Sequence, residues 1–130
     1  VVTDAGYDWD SYVKYGRQRF LTAPLMKWMF GKYVSDPAQR GNDLMSPVRA
    51  SAERLRGLPA TLIVVAENDI LRDEGEAMGR RLDEAGVEVT TVRFNGVVHD
   101  WGMLNGFAAL HPTRTLIRLV GSVLRDYLEK

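Results

Sequence analysis

Residues 62–66, Leu-Ile-Val-Val-Ala, form an unbroken apolar run that ends in Glu67-Asn68-Asp69. A strand with one face in water alternates apolar and polar side chains. A run that is apolar at every position predicts a strand covered on both faces, as in a parallel sheet. Parallel neighbours need a crossover, usually a helix, and the sequence supplies one. Ala77, Met78, Leu82 and Ala85 mark one apolar helix face, with Gly86 as its stop. Asp73 has the character of the helix N-cap, with Glu76 completing a box-like signature and Glu74 adding negative charge at the positive helix end. Val87 to Phe94 is then strand-like, rich in β-branched residues and mixed in polarity, as suits a strand near a sheet edge. Asn95-Gly96 turns the chain toward His99. Strand, helix and strand make a βαβ unit whose two parallel strands release their next loops at one edge of the sheet. Asp69 and His99, 30 positions apart, are expected to meet there, where open α/β sheets carry their chemistry.

The remaining segments read as follows. Val1-Val2 before Thr3-Asp4-Ala5-Gly6 has the look of a strand tail ending in a turn, and with no initiator Met the chain reads as a fragment. Tyr7, Trp9, Tyr12, Tyr15 and Phe20 read as loop residues folded onto an apolar surface. Thr22 caps a helix with Pro24 in its first turn. Met26, Met29, Phe30 and Tyr33 follow at helical spacing, widened by Leu25 and Trp28, and serve either the core or the wall of an apolar pocket. Ser35 to Pro47 is turn-rich and expected on the surface, and Ala50 to Arg56 is a short helix. His111-Pro112-Thr113 opens a last helix with Leu116, Val120, Val123 and Tyr127 on one face and Ile117, Leu124 and Leu128 beside them. No repeat or linker divides the 130 residues, which fit one domain.

Several classes of partner are excluded. Lys plus Arg equals Asp plus Glu at 17 each, so there is no basic footprint for nucleic acid or for an anionic membrane. No run reaches the roughly 18 apolar residues of a membrane span. Cysteine is absent, which removes disulfides, a thiolate nucleophile and Cys-ligated zinc, and is compatible with a reducing cytoplasm.

On position alone, a carboxylate just past a buried parallel strand can bind Mg²⁺, accept a phosphoryl group, orient a histidine or cap a turn. A metal site needs more convergent carboxylates than this sequence displays. His99 favours the third role: an imidazole shuttles protons near neutral pH, and a buried carboxylate fixes its tautomer and stabilises the imidazolium. His111 reads as a helix-entry residue, and Asp100 as solvent-facing or loop-bracing, because adjacent side chains usually diverge.

Residues 66–77, Ala-Glu-Asn-Asp-Ile-Leu-Arg-Asp-Glu-Gly-Glu-Ala, resemble the acid-residue motif of the hormone-sensitive-lipase-like esterases, a branch of the α/β-hydrolase fold. Residues 94–105, Phe-Asn-Gly-Val-Val-His-Asp-Trp-Gly-Met-Leu-Asn, resemble their histidine loop. Ser46-Pro47-Val48-Arg49-Ala50, Gly57-Leu58-Pro59-Ala60 and Val2-Thr3-Asp4-Ala5 are similar to flanking stretches, and residues 11–35 to the family's lid helices. The resemblance implies the C-terminal part of an α/β-hydrolase fold: a lid-like segment at about 11–35, and the last strands and helices at about 61–130. It further implies a cofactor-free esterase in which Asp69 is the triad acid and His99 the general base. Trp101, Met26, Met29 and Phe30 would line the pocket for a small-molecule ester. The family's Gly-x-Ser-x-Gly elbow and His-Gly-Gly oxyanion motif do not occur among these residues; Ser11, Ser35, Ser46, Ser51 and Ser122 all lack the glycine frame. The chain is therefore expected to be inactive alone, and to self-associate or to pair with an N-terminal part. The rival reading is a non-enzymatic binding or regulatory module in which Asp69 holds a metal or a phosphate.

Overall fold

The computed structural model describes residues 2–129. In chain order it forms α1 (Asp10–Tyr15), α2 (Ala23–Tyr33), α3 (Ala52–Leu55), β1 (Thr61–Asn68), α4 (Arg72–Glu84), β2 (Val89–Val98) and α5 (His111–Leu128). Three short 3₁₀ turns, Pro37–Gly41, Pro47–Arg49 and Asn105–Phe107, punctuate the connections. β1 and β2 pair in parallel, with α4 as their crossover. Val1 lies outside the described residues, and Val2 is not in a strand.

One face of the strand pair carries α4. Ile63 and Val65 point toward this helix, and Gly75 and Gly79 are where its backbone comes down onto them. A Cβ at Gly79 would run into the Thr91 hydroxyl, and one at Gly75 would sit 2.7 Å from Val65 Cγ1. Behind α4, Ala77, Met78, Leu82, Ala85 and Val87 pack with Val48, Ala50 and Leu55 into a buried cluster. The opposite face is covered by α5 only in part. Leu116 packs near Ala66, Val97 and Trp101, but Leu62, Leu119 and Val123 border a gap of about 190 Å³. Hence the run expected to be buried on both faces is fully buried only at Val65 and Ala66, and half-buried from Leu62 to Val64. Ile117, Leu124 and Leu128 on α5 are exposed.

The start of α4 departs from the capping pattern read in the sequence. Its N-cap is Leu71, with no side-chain cap. Asp73 sits inside the first turn and accepts hydrogen bonds from the Ser11 amide at 2.8 Å and from Arg72 Nε at 2.7 Å, tying α1 to α4. Glu74 is no surface partner of the helix dipole. It is fully buried and accepts from the amides of Thr3 at 2.6 Å and Asp4 at 3.2 Å. The incoming segment crosses this turn with N–H groups that have no strand to bond, and a buried carboxylate meets that need. Burial pushes the Glu74 carboxyl up to about 7, although the two amides pull the other way.

The aromatics near the N-terminus also differ from loop residues. Tyr12 and Tyr15 lie on α1 and are buried with Met26, Phe30, Ile70 and Leu71, while Tyr7 and Trp9 pack against that cluster. Phe20 is exposed. Thr22 caps α2 as expected, accepting from the Leu25 amide. Only Met26 and Phe30 of the α2 stripe are buried; Leu25, Trp28, Met29 and Tyr33 face outward.

Because the folded-state pKa of Glu74 is raised, its ionisation opposes folding. Its favourable contribution is complete below about 4.5, the unfolded value, and is lost as pH rises through about 7. Resistance of the wild type to urea is expected to fall between about pH 4.5 and pH 7.5 and to level off above that. Glu74→Gln should remove roughly 2–3 kcal/mol of that pH dependence, and an unchanged slope would show that this carboxyl does not titrate with folding.

Candidate active site

From Thr61 to Ala66 the two strands keep one register, Thr61 opposite Val89 and Ala66 opposite Phe94, an offset of 28 positions. Beyond Ala66 the register slips, and Asn68 pairs with Val98, an offset of 30. Two extra residues are thus inserted in β2, a bulge of the kind that re-aims side chains next to sites. The separation of Asp69 and His99 is also 30. The slip therefore brings His99 level with Asp69 at the carboxyl edge of the strands. Gly96 lies within the insertion at φ +75, a conformation that costs glycine little. The reading of Asn95-Gly96 as a simple turn after the strand is corrected accordingly, since β2 runs on to Val98.

Asp69 is buried, and its two oxygens have separate tasks. Oδ1 accepts from the Leu71 amide at 3.0 Å, closing the turn into α4; Oδ2 lies 2.8 Å from His99 Nδ1. Turn-capping and histidine orientation, alternatives in the sequence, are performed together. With Asp69 ionised, this contact places the proton of neutral His99 on Nδ1 and leaves Nε2 as the basic nitrogen. Burial alone would lower the pKa of His99, but the hydrogen bond and charge of Asp69, with a smaller contribution from Asp100, outweigh it and hold the imidazole above its ordinary value. Such a pair can take up a proton at Nε2 while the carboxylate stabilises the resulting imidazolium.

Asp100 does not diverge from its neighbour as adjacent side chains usually do. It adopts φ +58, which swings its carboxylate to 3.4 Å from His99 Nε2. His111 opens α5 and is exposed. The four apolar residues linked by resemblance to a substrate pocket fall in two places. Met26, Met29 and Phe30 line an apolar groove of about 440 Å³ with Val2, Tyr33, Leu44, Met45 and Pro47. Trp101 is instead buried beneath the histidine loop, its ring 5.5 Å from that of Phe94. Sequence reasoning passed over Glu67 and Arg72. Glu67 Oε2 accepts from the Gly96 amide at 2.7 Å, and Arg72 Nη1 donates to the Glu67 carbonyl at 3.3 Å and to Tyr15 Oη at 3.1 Å. The role of Glu67 depends on the bulge and that of Arg72 on the approach of α1, and neither leaves a residue-type pattern beyond Gly96 itself.

Residues 2–103 match a family described as an alpha/beta hydrolase fold. The chain is 37% identical over 100 residues to the ethyl acetate hydrolase of Pseudomonas putida, covering 77% of this chain and 31% of that one. It is also 37% identical over 94 residues to an arylesterase of Saccharolobus solfataricus, covering 72% of this chain and 28% of that one. The solved structure of a thermostable esterase from Pseudomonas putida ECU1011 superposes with a TM-score of 0.95 at 44% identity, covering 98% of this chain and 40% of that chain. The chain spans about a third of the length of the curated relatives it matches.

Replacing Asp69 by Asn removes the charge that offsets the burial of His99. A titration of the His99 Cε1–H resonance is expected to show a lower midpoint for the imidazole in this variant than in the wild type. A midpoint equal to that of the wild type would mean that the 2.8 Å contact does not couple the two groups.

Proposed function

The chain belongs to the hormone-sensitive-lipase-like esterases of the α/β-hydrolase fold, and from that premise we propose that it supplies the acid and the base of a Ser-His-Asp triad in a carboxylic ester hydrolase. The observation that carries this reading is the 2.8 Å contact between Asp69 and His99, two groups that leave adjacent parallel strands. The nucleophilic serine and the oxyanion donors lie outside these residues, so the 130-residue chain alone is inactive.

In the complete enzyme, His99 Nε2 takes the serine proton as the hydroxyl oxygen attacks the ester carbonyl. The imidazolium then protonates the departing alkoxide, leaving an acyl-serine. Water then gives a proton to the same nitrogen as its oxygen attacks the acyl carbon, and the imidazolium returns that proton to the departing serine oxygen, freeing the carboxylic acid and restoring the hydroxyl. Asp69 keeps the ring oriented through both steps. Asp100 must yield its place beside Nε2 when the serine is in position. Residues 11–35 act as the lid segment, and Met26, Met29 and Phe30 offer an apolar wall for part of a small ester. Trp101 supports the histidine loop from beneath. No cofactor and no nucleic acid takes part. No described helix is long and apolar enough to cross a membrane, and the cysteine-free composition suits the cytoplasm.

Asp69 as a metal or phosphate site has less support, since one of its oxygens is held by the Leu71 amide and the other by His99. The half-covered strands and the apolar outer face of α5 favour association of the isolated chain, with itself or with the strands of an N-terminal part.

The test is hydrolysis of p-nitrophenyl acetate by a protein in which a segment bearing Gly-x-Ser-x-Gly precedes these residues. His99→Ala is expected to lower its kcat by about 10⁴-fold or more, whereas an unaltered rate would remove the imidazole from the reaction. The acidic limb of kcat/KM should fall at a pH above 6.5, because the imidazole must lose its proton to act and its pKa is raised.

A further inference from the structure

We propose that Glu67 is a positioning residue: its carboxylate clasps the Gly96 amide, fixes the two-residue insertion in β2, and thereby sets His99 opposite Asp69. The inference rests on the reading of His99 as the triad base, and it adds a residue that does not itself meet the substrate.

The register makes the geometric case. Were the offset of 28 that holds from Thr61 to Ala66 to continue, Val97 would stand opposite Asp69, and His99 would lie two residues farther along the strand. The imidazole reaches the carboxylate only because Asn95 and Gly96 are accommodated as a bulge. A bulge takes backbone groups out of the ladder, and those groups need other partners. The Gly96 amide finds one in Glu67 Oε2 at 2.7 Å.

Glu67 is itself held at both ends. It sits in β1 between Ala66 and Asn68, the residues on either side of the slip, and its carbonyl accepts from Arg72 Nη1 at 3.3 Å. The Arg72 guanidinium is anchored in turn by Asp73 and Tyr15. A continuous path of hydrogen bonds therefore runs from the first turn of α4, through Glu67, to the bulge that precedes His99. Phe94 and Val97, on either side of the insertion, pack with Trp101 and hold the outer end of the loop. The apolar contacts keep the loop folded, and the Glu67 contact selects where along β2 the extra residues are placed.

Two variants separate this role from a general effect of charge. Glu67→Ala removes the acceptor, whereas Glu67→Gln keeps a carbonyl oxygen that can receive the Gly96 amide. In the 130-residue chain, the low-field Nδ1–H resonance of His99 and slow exchange of the Gly96 amide are expected to be lost in Glu67→Ala and retained in Glu67→Gln. In the esterase assembled with the serine-bearing segment, Glu67→Ala should lower kcat about tenfold with KM unchanged, and Glu67→Gln should stay within about twofold of wild type. Retention of both resonances and of kcat in Glu67→Ala would overturn the proposal, as would a Gln variant as impaired as the Ala variant. If the assembled wild-type protein fails to hydrolyse esters, the triad reading falls, while the resonances still decide whether Glu67 sets the Asp69–His99 contact.

Discussion

The parallel pairing of β1 with β2 is the constraint from which the rest of the structure follows. It requires a crossover, and α4 fills that role while covering one face of the strands. It also sends both chain exits to the same edge, so that a carboxylate and an imidazole distant in sequence become neighbours. Close approach of α4 depends on positions without side chains, Gly75 and Gly79, over Val65 and Thr91. The strands themselves supply only a direction; the local slip after Ala66 supplies the distance.

The α4 entrance shows how interior demand overrides local preference. Asp73 and Glu74 have the sequence character of a cap and a dipole partner, yet each is taken up by a distant segment, α1 in one case and residues 3–4 in the other. An exposed helix end can be finished by its own first residues. A helix end packed beneath another strand of chain must also satisfy the amides of that chain, and the nearest carboxylates are recruited for it. The cost is a buried acid with a raised pKa.

Much of this was legible in the residues. The apolar run of β1, the face of α4 and the spacing of Asp69 and His99 specified the βαβ unit and the meeting of the two groups. The acid and histidine segments also carried the family resemblance that the comparisons with esterases support. What was hidden depends on contacts between distant residues. A bulge adds two residues without changing the composition of the strand, so Gly96 reads as part of a turn and no residue type links it to Glu67. The burial of Leu62 to Val64 was overestimated because periodicity reports what a strand is suited to, whereas burial depends on which elements cover it. The residue pattern alone did not disclose α1, whose six residues owe their order to packing of Tyr12 and Tyr15; only the resemblance of residues 11–35 to lid helices covered it.

Asp69 and His99 are each attached directly to the end of one strand of a single hydrogen-bonded pair. The groove along Met26 and Met29 is built differently, by α2 packed with α1 on Ile70 and Leu71 just beyond the acid. The strand pair thus fixes the distance between the two groups, while the helices packed beside the acid fix the shape of the groove, so each has its own determinants in the sequence.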